Sequence, residues 1–211
     1  MLRKSLVIIC TLTILISILI PTVALGQGKI IVLYGDSEFS GKTTVFAKLT
    51  AKRTDNGDTV ITIADSWTSS HAKKNIKAEV IKPYSPNVIV LNFGLNDASR
   101  DAKGRNRIRL STYISNMKSA IKKAQKTDAQ VIVLTPIPVD YNVRAGLWTD
   151  SDLAGYAGNV AGLANSMGVT VIDAYTIFKN QPNYLTLLAD GLHFSDQGSE
   201  LIANQIDATI P

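Results

Sequence analysis

The chain has 211 residues, 45% of them hydrophobic and 18% charged, which is enough for one domain with a sizeable core. Its formal net charge of +5 is a mild excess that by itself implies no nucleic-acid partner. The single cysteine, Cys10, excludes a disulfide framework and a Cys-based metal site.

Arg3 and Lys4 precede an apolar run from Leu6 to Ile20, followed by Pro21 and Ala24-Leu25-Gly26. Basic start, apolar middle and small-residue exit describe a secretory signal, with cleavage expected after Gly26 and a mature domain over 27–211. The apolar stretch over 6–25 approaches spanning length, so an uncleaved membrane anchor is the alternative; Pro21 and the small residues favour cleavage. A secreted, extracellular location follows, with membrane contact only where the segment is retained. Cys10 falls inside this segment, after Ile9 rather than a small residue, so lipid attachment is not expected. The mature chain then has no cysteine nucleophile.

Beyond it, short β-branched runs alternate with segments of helical period. A buried strand is predicted over Lys29–Tyr34, followed by Gly35-Asp36-Ser37 and a helix over Thr43–Lys52. Next come a strand over Thr59–Ile63 with Ala64-Asp65-Ser66-Trp67 after it, and a strand over Asn87–Asn92 followed by Phe93-Gly94-Leu95-Asn96-Asp97. The densest basic stretch, Arg100, Lys103, Arg105, Arg107 and Arg109, reads first as a solvated loop and helix start and second as a docking patch for an acidic polymer. A helix over Thr112–Lys126 leads to a strand over Gln130–Thr135 and a long connection over 136–150, which is expected to border a site. A helix over Leu153–Met167, a strand over Val169–Asp173 and a helix over Ser199–Ile206 complete the series. Continuous apolar strands alternating with helices predict an α/β domain whose parallel sheet is covered on both faces. In such sheets ligands sit beyond the carboxyl ends of the strands, so the residues that follow each strand carry the functional argument.

Asp190-Gly191-Leu192-His193-Phe194-Ser195 places one of only two histidines three positions after an aspartate. A triad needs an imidazole to take a proton and a carboxylate to orient it, and one short loop offers both. Upstream, Ser37 follows a strand and a glycine, where its own backbone N–H would face a developing anion. The run from Gly35 to Thr43 is no phosphate loop: five residues rather than four separate Gly35 from Gly41, and Asp36 would repel a phosphate.

Gly35-Asp36-Ser37, Gly94-Leu95-Asn96-Asp97 and Asp190-Gly191-Leu192-His193, in that order at strand ends, resemble the blocks of the GDSL, or SGNH, hydrolases. Further likeness to the isoamyl-acetate-hydrolysing branch lies in Phe93 to Ala98, Leu134-Thr135-Pro136-Ile137-Pro138 and Asp190 to Ser195. The resemblance implies a three-layer αβα sandwich on a flavodoxin-like, five-stranded parallel sheet. It also implies a serine ester hydrolase with Ser37 as nucleophile, His193 as base and Asp190 as its carboxylate. The oxyanion hole would be formed by the Ser37 N–H, the Asn96 side-chain amide and the Ser66 N–H. Trp67, Leu95, Trp148 and Leu192, with Phe194, are candidate pocket residues. The implied substrates are small-molecule, lipid or acetylated-carbohydrate esters, with small acyl groups favoured and no cofactor, metal or nucleic acid required.

Two positions depart from the family pattern. Ser66 stands where the family has glycine, and it can donate its N–H only if its φ is negative. Glu38 stands where an aliphatic residue is usual, and it is tolerable beside the nucleophile if it points to solvent. These departures motivate an alternative, a weak or inactive relative that binds carbohydrate. His71 is expected on an exposed helix surface, and Asp36 is expected to support loop geometry.

Overall fold

The computed structural model describes residues 28–211; the basic and apolar leader with Cys10 and the cleavage position lies outside the described residues. Five strands, β1 (Ile30–Gly35), β2 (Thr59–Ala64), β3 (Val88–Asn92), β4 (Gln130–Leu134) and β5 (Thr170–Ile172), form one parallel sheet in the order β2-β1-β3-β4-β5. Alternate side chains leave opposite faces of a strand. Val32, Tyr34, Ile89 and Leu91 therefore pack with α2 (Ser69–Ile76), α5 (Leu110–Ala124) and α6 (Asp150–Ser166). Ile31, Leu33, Val88 and Val90 pack with α1 (Val45–Arg53), α7 (Ala174–Lys179) and α8 (Asp196–Thr209). The result is the expected three-layer αβα sandwich.

The predicted boundaries shift by a few residues because capping sets them. The Thr149 side chain accepts the Asp152 N–H and starts α6 before the apolar pattern begins. Ser195 does the same for α8 through the Gly198 N–H, so α8 opens three residues after His193. The helix expected at His71 is α2, whereas its continuation through a π-helical turn at Lys77–Ile81 into α3 (Lys82–Tyr84), and α7, were not visible in the apolar pattern.

The strands end level. Gly35 pairs in register with Ala64 on one side and Asn92 on the other, Asn92 with Leu134, and Leu134 with Ile172. Every loop that follows a strand thus starts from one line. Strand order reverses between β1 and β3, which makes their shared end the switch point where a ligand crevice forms.

Gly94, just past β3, has φ +132°, and the Tyr113 hydroxyl donates to the carbonyl before it, Phe93 O, at 2.8 Å. A Cβ at Gly94 would lie 2.8 Å from Tyr113 Oη and 2.9 Å from Pro136 Cγ. Gly94→Ala therefore combines backbone strain with overpacking and is expected to cost about 2–4 kcal/mol in denaturant unfolding. A variant that unfolds at the wild-type midpoint would contradict this packing.

Candidate active site

Ser37 opens a 3-10 turn, Ser37–Phe39, directly beyond β1. Asp36 caps that turn: its Oδ1 accepts the Glu38 N–H at 3.2 Å, while its own N–H donates to Asn92 O at 2.9 Å. The Ser37 N–H belongs to the first residue of the turn and so has no partner within it. The Asp190–His193 loop closes from the other side. An antiparallel bridge joins Leu188 to Phe194, the Ala189 N–H donates to His193 O at 2.8 Å, and Gly191 takes φ +77° at the bend.

Inside this loop Asp190 Oδ1 accepts the backbone N–H groups of Leu192 (3.0 Å) and His193 (2.8 Å), and Oδ2 lies 2.9 Å from His193 Nδ1. His193 Nε2 lies 3.1 Å from Ser37 Oγ. Partial burial opposes ionisation of Asp190, yet the His193 N–H, the imidazole and the Leu192 N–H outweigh it and hold the carboxyl down at about 2. A permanently charged carboxylate at Nδ1 selects the tautomer protonated there, which leaves the Nε2 lone pair facing the serine hydroxyl. Ser37 and His193 are buried, whereas Asp190 is half-exposed.

Asn96 sits in α4 (Leu95–Ala98), one residue past Leu95. Its Nδ2 donates to Trp67 O at 3.1 Å, and a primary amide has a second hydrogen to give. Trp67 lies flat on His71, with ring centroids 3.7 Å apart and planes 9° from parallel. His71 Nε2 is 2.7 Å from Glu79 Oε2, which also accepts the Tyr34 hydroxyl at 2.9 Å. His71 is thus half-buried under an indole and not simply surface-exposed. Asp97 accepts the Ser69 N–H (2.9 Å) and the Ser69 hydroxyl, tying α4 to α2.

Ser66 is exposed and has no positive φ, since Ser85 is the only non-glycine residue in that region among the described residues. Its N–H donates to Asp65 Oδ1 at 2.6 Å, so the carboxylate of Asp65 occupies this donor.

Glu38 does not point to solvent. It is 1% exposed, its Oε2 accepts the Phe194 N–H at 3.1 Å, and Oε1 has no partner. Burial raises its pKa well above the ordinary carboxylate range and favours the uncharged form. Leu95 and Trp148 also differ from expectation. They are 2% and 8% exposed, and the Trp148 indole N–H donates to Leu95 O at 2.7 Å, so both belong to the core beneath the crevice. Phe194 is likewise internal, packed against Phe178 at 5.5 Å. Trp67 and Leu192 remain half-buried.

The sequence did not single out Arg144. From the connection after β4, its Nη2 reaches Asp190 Oδ2 (3.2 Å) and Asp190 O (3.4 Å), while Asp140 N–H donates to Gly191 O at 2.8 Å. The long connection does border the site, as its length suggested. Among the described residues no three His, Asp or Glu side chains converge in a metal-binding arrangement.

Burial lifts Asp36 to about 7 and Asp97 to about 6, both above the value near 4 of an unfolded carboxyl. The folded state then holds more protons than the unfolded one between about pH 4 and 7, so stability is fully present at the acid end and declines as pH rises through this window. Each such group contributes a slope of up to about 1.4 kcal/mol per pH unit. Urea midpoints are expected to fall from pH 4.5 to 7.5 (chosen to bracket about that window), and Asp36→Asn to flatten the fall. A wild-type profile that rises across this range would refute the assignment.

The profile of the GDSL-like lipase/acylhydrolase family matches residues 30–201. The human isoamyl acetate-hydrolyzing esterase 1 homolog is 26% identical over 57% of this chain and 54% of its own length, so the match spans about half of that relative. The mouse homolog is 25% identical over 82% of this chain and 77% of its own length. Among solved structures, the lipase/acylhydrolase of Enterococcus faecalis superposes with a TM-score of 0.75 at 27% identity, covering 85% of this chain and 94% of that one. The level sheet edge, the Ser37 and Asn96 loops and the matched span together place this chain in the GDSL-like lipase/acylhydrolase family.

Proposed function

We propose that the protein is an exported serine esterase that cleaves small or short-chain acyl esters through an acyl-enzyme. The observation that carries this reading is the chain of contacts from Ser37 Oγ to His193 Nε2 (3.1 Å) and from His193 Nδ1 to Asp190 Oδ2 (2.9 Å). His193 takes the Ser37 proton as Oγ attacks the acyl carbonyl, and Asp190 stabilises the imidazolium that forms. His193 then returns the proton to the leaving alcohol. Water, deprotonated by the same imidazole, hydrolyses the acyl-serine and regenerates the enzyme.

Negative charge on the carbonyl oxygen is met by the Ser37 N–H, the free hydrogen of the Asn96 amide and the Ser66 N–H. The last of these must leave Asp65, and the growing anion repels that carboxylate as it arrives. The two features that favoured an inactive relative lose force, because the φ of Ser66 is not positive and burial favours an uncharged Glu38. Preference for a small acyl group is supported by the names of the human and mouse relatives, which refer to an acetate ester. Export rests on the leader of residues 1–26.

Ser37→Ala is expected to abolish both fluorophosphonate labelling and p-nitrophenyl acetate turnover, and wild-type protein that does neither would sink the esterase reading. Asn96→Ala should lower kcat by about 10²–10³ while leaving labelling detectable. Asp65→Ala frees the Ser66 N–H and should raise kcat; an unchanged kcat would remove Ser66 from the oxyanion hole.

A further inference from the structure

Trp67, His71, Asn75 and Glu79 follow one another at intervals of four residues along the segment that opens as α2, and all four are half-buried. Side chains at this interval are neighbours on a helix. Trp67 stands two residues ahead of the helix and lays its indole on His71 with ring centroids 3.7 Å apart. Asn75 Nδ2 lies 3.1 Å from His71 Nδ1, and Glu79 Oε2 lies 2.7 Å from His71 Nε2. The imidazole is thus held on one face and at both nitrogens. A straight α-helix would set Glu79 about 12 Å along the axis from His71, at about 1.5 Å per residue. Glu79 instead belongs to the π-helical turn at Lys77–Ile81, and its carboxylate reaches back to the ring. Such turns are rare and concentrate at functional sites.

Both ends of this row touch elements that carry the site. At one end Glu79 Oε2 also accepts the Tyr34 hydroxyl at 2.9 Å, three residues before Ser37. Burial, with the Glu79 carboxylate, pushes that phenol above its ordinary range, so it remains a donor. At the other end Trp67 O accepts Asn96 Nδ2 at 3.1 Å. The Asn96 amide is planar, so the hydrogen given to Trp67 O fixes the direction of the one left free. Trp67 therefore aims that free hydrogen, and the Trp67 ring is itself fixed by the face of His71 and the tilted ring of Tyr34 at 6.2 Å.

We propose that His71 and Glu79 are positioning residues of the oxyanion half: acting through Trp67 they aim the Asn96 amide, and neither touches the substrate. The inference rests on the esterase reading with Asn96 as a donor, but the setting of the amide can be read without turnover. A donor aimed in advance acts on charge that exists only in the transition state. Loss of its aim therefore lowers kcat and leaves KM in place.

The test is a double-mutant cycle in p-nitrophenyl acetate hydrolysis. His71→Ala should lower kcat about 10-fold, less than the ~10²–10³ of losing the donor outright, with KM moving less than about 2-fold. Glu79→Gln keeps the shape of the anchor and removes its charge, and it should give a smaller loss in the same direction. In an Asn96→Ala background both substitutions should be neutral within about 2-fold, because the group they act through is gone. His71→Phe keeps an aromatic face beneath the indole and should recover part of the loss. Equal losses with and without Asn96 would mark a general loosening of the fold and overturn the proposal, as would wild-type kcat in both single variants. By heteronuclear NMR on Ser37→Ala, the Asn96 side-chain amide resonances should shift when His71→Ala is added; unchanged resonances would also overturn it. Shifted resonances, with wild-type protein that neither labels nor hydrolyses, would keep the positioning role and sink the esterase reading instead.

Discussion

The hydrogen bond from the Asp36 N–H to Asn92 O joins the ends of β1 and β3, and the geometry of the site depends on it. It forms because Gly35 has no side chain: a Cβ there would lie 2.5 Å from that same carbonyl oxygen. With the two strands held this closely at their last register pair, the loops to Ser37 and Asn96 diverge from adjacent points. Asn92 carries the tie further, since its Nδ2 donates to Leu134 O at 3.2 Å and so reaches the end of β4. The sheet thus supplies a rigid line from which the Ser37 and Asn96 loops are suspended, an arrangement that keeps the proposed catalytic groups within tolerance.

Carboxyls around this line divide into two kinds. Asp190 keeps a half-exposed position with two backbone N–H donors and an imidazole, and stays ionised. Asp36 and Glu38 are sealed inside, and burial pushes both towards the neutral form. The difference has a mechanistic consequence. An ionised acid is useful where it faces the imidazole, because it stabilises the charge formed there, whereas beside the serine it would oppose the oxyanion. Glu38 meets that constraint by burial: its carboxyl holds the Phe194 N–H and braces the residue after the base. The stability cost of this arrangement is the decline expected above pH 4.

Strands, layer order and the three family blocks were legible in the sequence because each is written locally, as β-branched runs or as residues adjacent in the chain. Contacts that depend on approach between distant segments were not. Glu79 meets His71 because a π-helical turn carries it there, and no helical period announces such a turn. Arg144 lies in an irregular connection whose length was the only signal. Leu95 adjoins Asn96 in sequence yet turns inward, since the short helix α4 places neighbouring residues on different sides, and Trp148, distant in sequence, is drawn inward by its bond to Leu95 O. The place of Glu38 was left open by the sequence for a related reason: the Phe194 N–H that receives its carboxyl comes from a distant segment.

The two halves of the site are held by different physics. Base and acid share one closed loop, and their spacing is fixed by short-range backbone bonds. The oxyanion half is assembled from separate elements, with Trp67 as the joint between them. Its carbonyl receives the Asn96 amide, its ring rests on His71, and Glu79 anchors that imidazole while binding Tyr34 of β1. A serine at position 66 is workable in this setting, because the backbone there needs no left-handed conformation and the adjoining indole is pinned. The residual cost lies with Asp65, whose carboxylate holds the Ser66 N–H in the resting state. In the proposed mechanism, negative charge gathering at the substrate oxygen repels that carboxylate, and this is the step that would release the Ser66 N–H to the oxyanion.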